Sequence, residues 1–338
     1  MQFGLFLEWP NAGARPWGEA FEETVEQARL AEAAGFDFCL IAEHHFSDYG
    51  IAPAPVLEAL AILRATSRLR VGTAVAVLPE WQPLRLAEEM AVADQLSGGR
   101  FIAGIGRGFV PFEQVRFDVD VEAGRAHFEE CLDVLIKAWT EDDFTYDGRL
   151  VRVPVPTTVL PRPVQSPHPP LWLAGNSAES VDLVGRLGIT PIVSAAAGPV
   201  RIAEQRAAFT EARTRHGRAA ERLDIVAQVH AHVARTDTEV RAILPAARWQ
   251  RRAVTALLAD RVTRGVLDVT PFEGEPDDDA LLASQFFGTP EPIVERVRAL
   301  GAAGVTHLSM LMTFGGLDHA RVMRSIELFG KDVIPAVG

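Results

Sequence analysis

Residues 94–108, Asp-Gln-Leu-Ser-Gly-Gly-Arg-Phe-Ile-Ala-Gly-Ile-Gly-Arg-Gly, decide the fold. Ser97-Gly98-Gly99 stops the helical pattern running from Leu84 to Leu96, since glycine accepts the left-handed turn that closes a helix. Phe101 to Ile105 then reads as a short apolar strand, of the kind buried on both faces in a parallel sheet. Gly104-Ile105-Gly106-Arg107-Gly108 follows at its carboxyl end. The glycines let a ligand approach the backbone, and Arg107 offers a planar fork to a phosphate. No helix opens directly after them, so a dinucleotide fingerprint is a poor match. Arg125, which begins the next helix, is a second arm for the same anion.

Outward from this unit the alternation continues in both directions. Strands are expected at Gln2–Leu7, Phe38–Ala42 and Leu69–Ala76, with helices at Gly18–Ala34 and Val56–Ala65 between them. After the helix Arg125–Trp139 comes a small hairpin, Phe144–Val153, turning at Asp147-Gly148. Residues 154–170 hold seven prolines and resemble a domain boundary. The same alternation resumes at once, which argues for a connector within one domain. Strands follow at Leu171–Ala174, Pro191–Ser194, Asp224–Ala234 and His307–Met312, separated by helices that end with Leu317–Phe329. Eight strands, each followed by a helix, favour a closed (β/α)₈ TIM barrel over an open doubly wound sheet, with residues 1–338 as a single domain. Residues 262–285 include the acidic run Glu275–Asp279 and read as a long structureless piece, a mobile loop over the active site.

Composition narrows the function. The chain has 338 residues, 48% of them hydrophobic, enough for a large core, and a formal net charge of −12, which repels nucleic acid and anionic membranes. Cys39 and Cys131 both fall in apolar-periodic segments, which suits a reducing compartment and no disulfide framework. The amino terminus reads as a strand, and no apolar run is long enough to span a bilayer, so the expectation is a cytoplasmic protein.

In a (β/α)₈ barrel the chemistry sits after the strands. Strand two is followed by Glu43-His44-His45-Phe46. Adjacent residues point to opposite sides, so one imidazole at most faces a reaction as acid or base, and the doublet could instead fix a loop. Strand five is followed by Gly175-Asn176-Ser177-Ala178-Glu179-Ser180. Small hydroxyl residues at a helix start suit either a capping box or an anion site, and Arg107 with Arg125 tips the choice to a phosphate. On strand seven, alternation puts Gln228, His230 and His232 on one face. His-x-His can ligate a metal, but His307 begins strand eight at the wrong end and no carboxylate cluster completes a set. No metal is expected, and a polar barrel lining is the better use of these residues.

At these residues the sequence resembles the bacterial luciferase-like flavin monooxygenases, in particular the luciferase α subunit. The resemblance runs along nearly the whole chain. It is carried by FGLFL at 3–7, AEHHFSDYG at 42–50, VGTAVAVLP at 71–79, the 94–108 block, GRAHFEECLDVLIKAW at 124–139, AGNSAES at 174–180 and GTPE at 288–291. It implies His44 as the catalytic histidine, with His45 its supporting neighbour. Arg107, Arg125, Ser177 and Ser180 are implied as FMN phosphate ligands, with Gly106 and Asn176 beside the cofactor. Ala74-Val75 matches the family's non-proline cis peptide beneath the isoalloxazine ring.

The resemblance further implies that reduced FMN, supplied by a separate flavin reductase, reacts with O₂ to a C4a-hydroperoxyflavin that oxygenates a small organic substrate. A homodimer built through the early barrel helices is implied too. The alternatives are a deazaflavin-dependent oxidoreductase of the same superfamily and a non-catalytic FMN-binding protein. Three departures set the chain apart. Gly106 stands where the luciferase α subunit has a reactive cysteine, and Gly175-Asn176 replaces a shorter acidic stretch. Ala195, Ala196 and Ala197 are small where an aldehyde channel would be lined. They argue against long-chain aldehyde oxidation and light emission.

Overall fold

The computed structural model describes residues 1–11, 15–219 and 223–337. Eight parallel strands make the barrel: β1 (Gln2–Leu7), β2 (Phe38–Ile41), β3 (Arg70–Thr73), β4 (Phe101–Gly106), β5 (Leu171–Ala174), β6 (Thr190–Ser194), β7 (Val226–Val233) and β8 (His307–Leu311). Each pairs with the next, and β8 returns to β1 in the register Gln2↔His307 to Phe6↔Leu311, which closes the cylinder. Outside it lie α1 (Trp17–Ala33), α2 (Pro55–Ala65), α3 (Pro83–Ser97), α4 (Gly124–Thr140), α5 (Ala178–Leu187), α6 (Gly198–Arg215), α7 (Pro290–Ala302) and α8 (His319–Leu328). The α3 stop is as expected: Gly98 has φ 65° and its N–H donates to the carbonyls of Asp94 and Gln95. No described helix is long and apolar enough to cross a membrane.

The lower barrel is filled by an aromatic floor. Phe38, Trp172 and His307 meet edge to face with ring centroids 5.3–5.8 Å apart. Gly4 makes room for them, since a Cβ there would stand 2.2 Å from the Phe38 ring. Burial of such a side chain contributes about 1.5–3 kcal/mol, so the floor anchors the barrel and leaves its upper end for a ligand.

Two departures from expectation matter for the site. The strand expected over Leu69–Ala76 divides. Arg70–Thr73 pairs with β4 below, and Ala76–Val77 rejoins β4 at Ile105 and Gly106 above. Between them the Ala74–Val75 peptide is cis. Gly104 accommodates the break, because a Cβ there would lie 1.7 Å from the Thr73 carbonyl oxygen.

The second departure is residues 262–285, which are not structureless. Val262–Thr263 pairs with Val266–Leu267 in a short hairpin, and Asp278–Ser284 is a helix capped by the Asp277 carboxylate. Before them, Leu244–Leu258 forms a cap helix whose Ala253, Ala256 and Leu257 pack with Tyr49, Phe112 and Leu267 in a small separate apolar cluster. The acidic segment is fastened to this helix by ion pairs from Glu275 to Arg248 and Arg252.

Candidate functional site

A cavity of about 860 Å³ opens at the carboxyl ends of the strands. One end is an anion cradle. Ser177 caps α5, its Oγ accepting from the Ser180 backbone N–H at 3.3 Å and lying 3.2 Å from Ser180 Oγ. A Cβ on Gly175 would sit 2.7 Å from that same Ser180 oxygen, so the bare backbone is what keeps the cradle open. Arg107 and Arg125 lie close enough to Glu179 to help hold its carboxyl below the usual range, after the Ser177 hydrogen bond. Arg125 spends Nε on Glu129 at 2.7 Å, while its Nη2 is buried with no partner. A buried guanidinium N–H without an acceptor is costly. Two guanidiniums, two hydroxyls and a helix N-terminus form the donor set that a terminal phosphate would satisfy, so the residues fit the FMN phosphate.

The wall beside this end is apolar. Val75, after the cis bond, packs over Gly106, where a Cβ would be 2.5 Å from Val75 Cγ2. A cysteine at 106 would have to displace Val75, which gives the glycine there a steric reason.

The second part of the cavity is built around His44. It is 6% exposed and lines the cavity, with Nδ1 3.2 Å from Glu113 Oε1. Nε2 has no hydrogen-bond partner among the described residues. Tyr49 stacks edge-on at 4.7 Å. Burial alone would depress this imidazole's pKa. The hydrogen bond and charge of Glu113, with Glu8 and Glu43 behind, outweigh burial and raise it above the ordinary histidine value. Burial in turn raises Glu8 and Glu43, and lifts Glu80 to about 8.

His45 turns the other way. Its backbone N–H donates to the same Glu113 oxygen at 2.9 Å, and its Nε2 meets Glu43 Oε1 at 3.0 Å and Glu80 Oε2 at 3.7 Å. Glu43, His45 and Glu80 bring ligand-type atoms within 4.8 Å of one another. Glu43 already accepts from Val77 N–H, Trp81 Nε1 and His45, so this cluster is wired as a hydrogen-bond network that fixes the base of the His44 loop.

Thus the cavity brings together His44, Ala74, Val75, Gly106, Arg107, Arg125, Asn176, Ser177 and Ser180, and leaves His45 behind its wall. The strand-seven expectation needs correction. Gln228 and His230 line the cavity, but His232 does not. Beyond His230 the strand leaves β8 and pairs with Phe286–Gly288 instead, so the two-residue alternation no longer refers to the barrel axis. His232 lies against Arg321 and Arg324 of α8, outside the barrel.

Sequence reasoning missed Glu113 altogether. It sits on the short helix Pro111–Arg116, in a stretch that reads as irregular, though Pro111 at the first helical position was a usable signal. Glu8 was missed as well. Gln250 of the cap donates to Glu8 Oε2 at 3.1 Å, and Tyr49 OH donates to Oε1 at 3.4 Å, tying the lid to the end of β1.

Known proteins agree with this architecture. The family model described as luciferase-like monooxygenase matches residues 1–307. The chain is 25% identical to the oxygenase component of the flavin-dependent trigonelline monooxygenase of Acinetobacter baylyi, covering 99% of this chain and 95% of that one. The monooxygenase RslO1 of Streptomyces bottropensis superposes with a TM-score of 0.89 at 25% identity, over the full length of both chains. The fold is shared more widely: the coenzyme F420-dependent tetrahydromethanopterin reductase of Methanopyrus kandleri gives a TM-score of 0.77 at 19% identity, covering 100% of this chain and 99% of that one. With a family match across most of its length on a closed (β/α)₈ barrel, the chain belongs to the luciferase-like monooxygenases.

Proposed function

We propose that the chain is the oxygenase component of a two-component FMN system, which takes reduced FMN from a separate reductase and uses O₂ to oxygenate a small organic substrate. The observation that carries this reading is one cavity holding both a phosphate-type donor set with an unsatisfied buried Arg125 Nη2 and a buried His44 biased toward its protonated form. When bound, reduced FMN supplies the electrons that activate O₂.

The protein's own part is binding, orientation and proton management. Arg107, Arg125, Ser177, Ser180 and the α5 N-terminus hold the phosphate, with Asn176 at the rim. Val75 and Gly106 provide a flat apolar wall, and Phe109 and Val110 help keep water from the reacting atoms. Glu113 keeps a proton on His44 Nδ1, which leaves Nε2 free to give or take a proton in the cavity. His45 acts through Glu113 and Glu43, as a positioning residue. A homodimer through the early helices belongs to the same reading, supported by Leu57 of α2 and Leu96 of α3, each more than half exposed. So does a cytoplasmic location, supported by two unpaired, buried cysteines.

The test is anaerobic titration with reduced FMN, followed by oxygen and rapid-scan absorbance. Tight binding and a transient spectrum distinct from both reduced and oxidised FMN are expected, with His44→Ala binding FMN normally but losing turnover. Selective binding of the deazaflavin F420 would overturn the cofactor assignment. Tight FMN binding without any oxygen-dependent transient would favour a flavin-storage protein.

A further inference from the structure

Part of the cavity lining is polar and carries one cation that the cradle does not use. Gln228 and His230 of β7 line it, with Gln285 and, from the cap helix, Arg251 and Val254. The cap holds the arginine run 248–252 in a divided arrangement. Arg248 and Arg252, one turn apart, face the acidic segment and pair with Glu275. Gln250 reaches down to Glu8. Arg251 and Val254, three residues apart on another face, border the cavity. Arg251 is an exposed residue, and its guanidinium makes no hydrogen bond or ion pair among the described residues.

Close to it, His230 Nε2 is buried and has no hydrogen-bond partner among the described residues. Burial outweighs the opposing Gln285 side chain and, reinforced by the Arg251 charge, pushes this imidazole down to about 4, so at neutral pH it is uncharged and can donate one N–H. Gln285 Oε1 accepts the His230 backbone N–H at 3.2 Å and holds the strand tip in place. An unpaired guanidinium next to an unsatisfied neutral donor describes the receptor for a carboxylate. The cradle cations are matched to the phosphate, so this arginine is left for a different anion.

We propose that the substrate carries a carboxylate, and that Arg251 with His230 binds it at this end of the cavity. The inference rests on the oxygenase reading for the occupant being a substrate. Any charge on His44 is already paired by Glu113, whereas Arg251 has no counter-ion among the described residues, so an anionic group is favoured at Arg251. That opposition orients the molecule: the carboxylate goes to the cap, and the uncharged part goes to His44 and the wall at Val75.

The experiment compares acids with their neutral amides on FMN-loaded protein by calorimetry: benzoate and benzamide, phenylacetate and phenylacetamide, hexanoate and hexanamide. At least one acid is expected to bind about tenfold or more tightly than its amide, the usual worth of a charge-assisted hydrogen bond. In Arg251→Gln that preference collapses to near parity, while FMN affinity and melting temperature are unchanged. Arg251→Lys retains most of the preference. The proposal is overturned if no acid is preferred over its amide, or if the preference survives in Arg251→Gln. The same comparison on the FMN-free chain separates the two ideas. Failure to bind FMN removes the oxygenase reading, whereas an Arg251-dependent acid preference would stand without it.

Discussion

Replacing Glu113 by glutamine should reverse the sign of the His44 contribution to stability. The substitution keeps an oxygen to accept from His44 Nδ1–H and from the His45 backbone N–H, and removes only the charge. Glu113 Oε1 lies 3.2 Å from Nδ1, and the two side chains are 3% and 6% exposed, so solvent screens the pair little. Coulomb's law at about 4 Å with an effective dielectric near 20 gives about 4 kcal/mol as an upper bound. Opposite charges at such distances shift a pKa by about 1–3 units. Glu8 and Glu43 remain in the variant and still favour the charged imidazole, so the loss falls below that upper bound. In the wild type the folded His44 pKa is raised. Its stabilisation is therefore complete below the unfolded value of about 6.5 and is lost as pH rises through the folded value. In Glu113→Gln burial dominates, the folded value drops below the unfolded one, and the histidine then opposes folding as pH falls through about 6. NMR titration of the imidazole carbon-bound protons, assigned with His44→Gln, reads the pKa directly, and urea melts at pH 5.5 and 8.5 read the linkage. An unchanged His44 midpoint in Glu113→Gln would refute the electrostatic argument.

Four further outcomes follow from the geometry. Arg125→Met should weaken FMN binding about ten- to a hundredfold, the range for a hydrogen bond to a charged group, with unchanged melting; flavin fluorescence titration checks it, and equal affinity would remove Arg125 from the cradle. Gly106→Ala drives a Cβ to within 2.5 Å of Val75 Cγ2 and should cost about 1–3 kcal/mol in chemical denaturation; a neutral result would mean that Val75 moves freely. Burial pushes the Cys39 and Cys131 thiols up to about 12, so neither should react with a disulfide reagent until urea is added, when both should. Leu96→Glu should halve the solution mass measured by light scattering if the exposed face of α3 joins two copies, and a wild type that is already monomeric would refute that assembly.

The barrel was legible because its signals are local. Each strand is a short apolar run, each helix has its own period and stop, and a parallel sheet with eight such units leaves few topologies. Gly98 ended α3 where expected, and Asp147-Gly148 turned the hairpin, with Gly148 N–H bonded to the Val151 carbonyl. The failures came where tertiary contacts override local pattern. The Leu69–Ala76 run has the composition of one strand, yet Gly104 and the cis bond divide it. The alternation along Val226–Val233 is unbroken in sequence. It fails at His232 because the pairing partner changes from β8 to Phe286–Gly288, and no property of residue 232 announces that exchange.

The site divides along the same line. The cradle was readable because its parts lie at predictable places: the residues after β4 and β5, and the start of α4. The charge environment of His44 was not, because it depends on acids brought from 36 and 69 positions away. Glu113 comes from a short helix and Glu8 from the end of β1. A histidine with one carboxylate is a common motif. Here one carboxylate oxygen also holds the next residue's backbone, and Glu8, Glu43 and Glu80 are themselves pushed toward the neutral form by burial. Such a network sets the protonation of the residue that faces the cavity while keeping its neighbours out of the reaction. On this argument substitutions at Glu113 should shift the pH at which His44 works. Those at Glu80, separated from His44 by Glu43 and His45, should shift it less. The ordering of those two effects is a sharper check on the network than the loss of activity from either one.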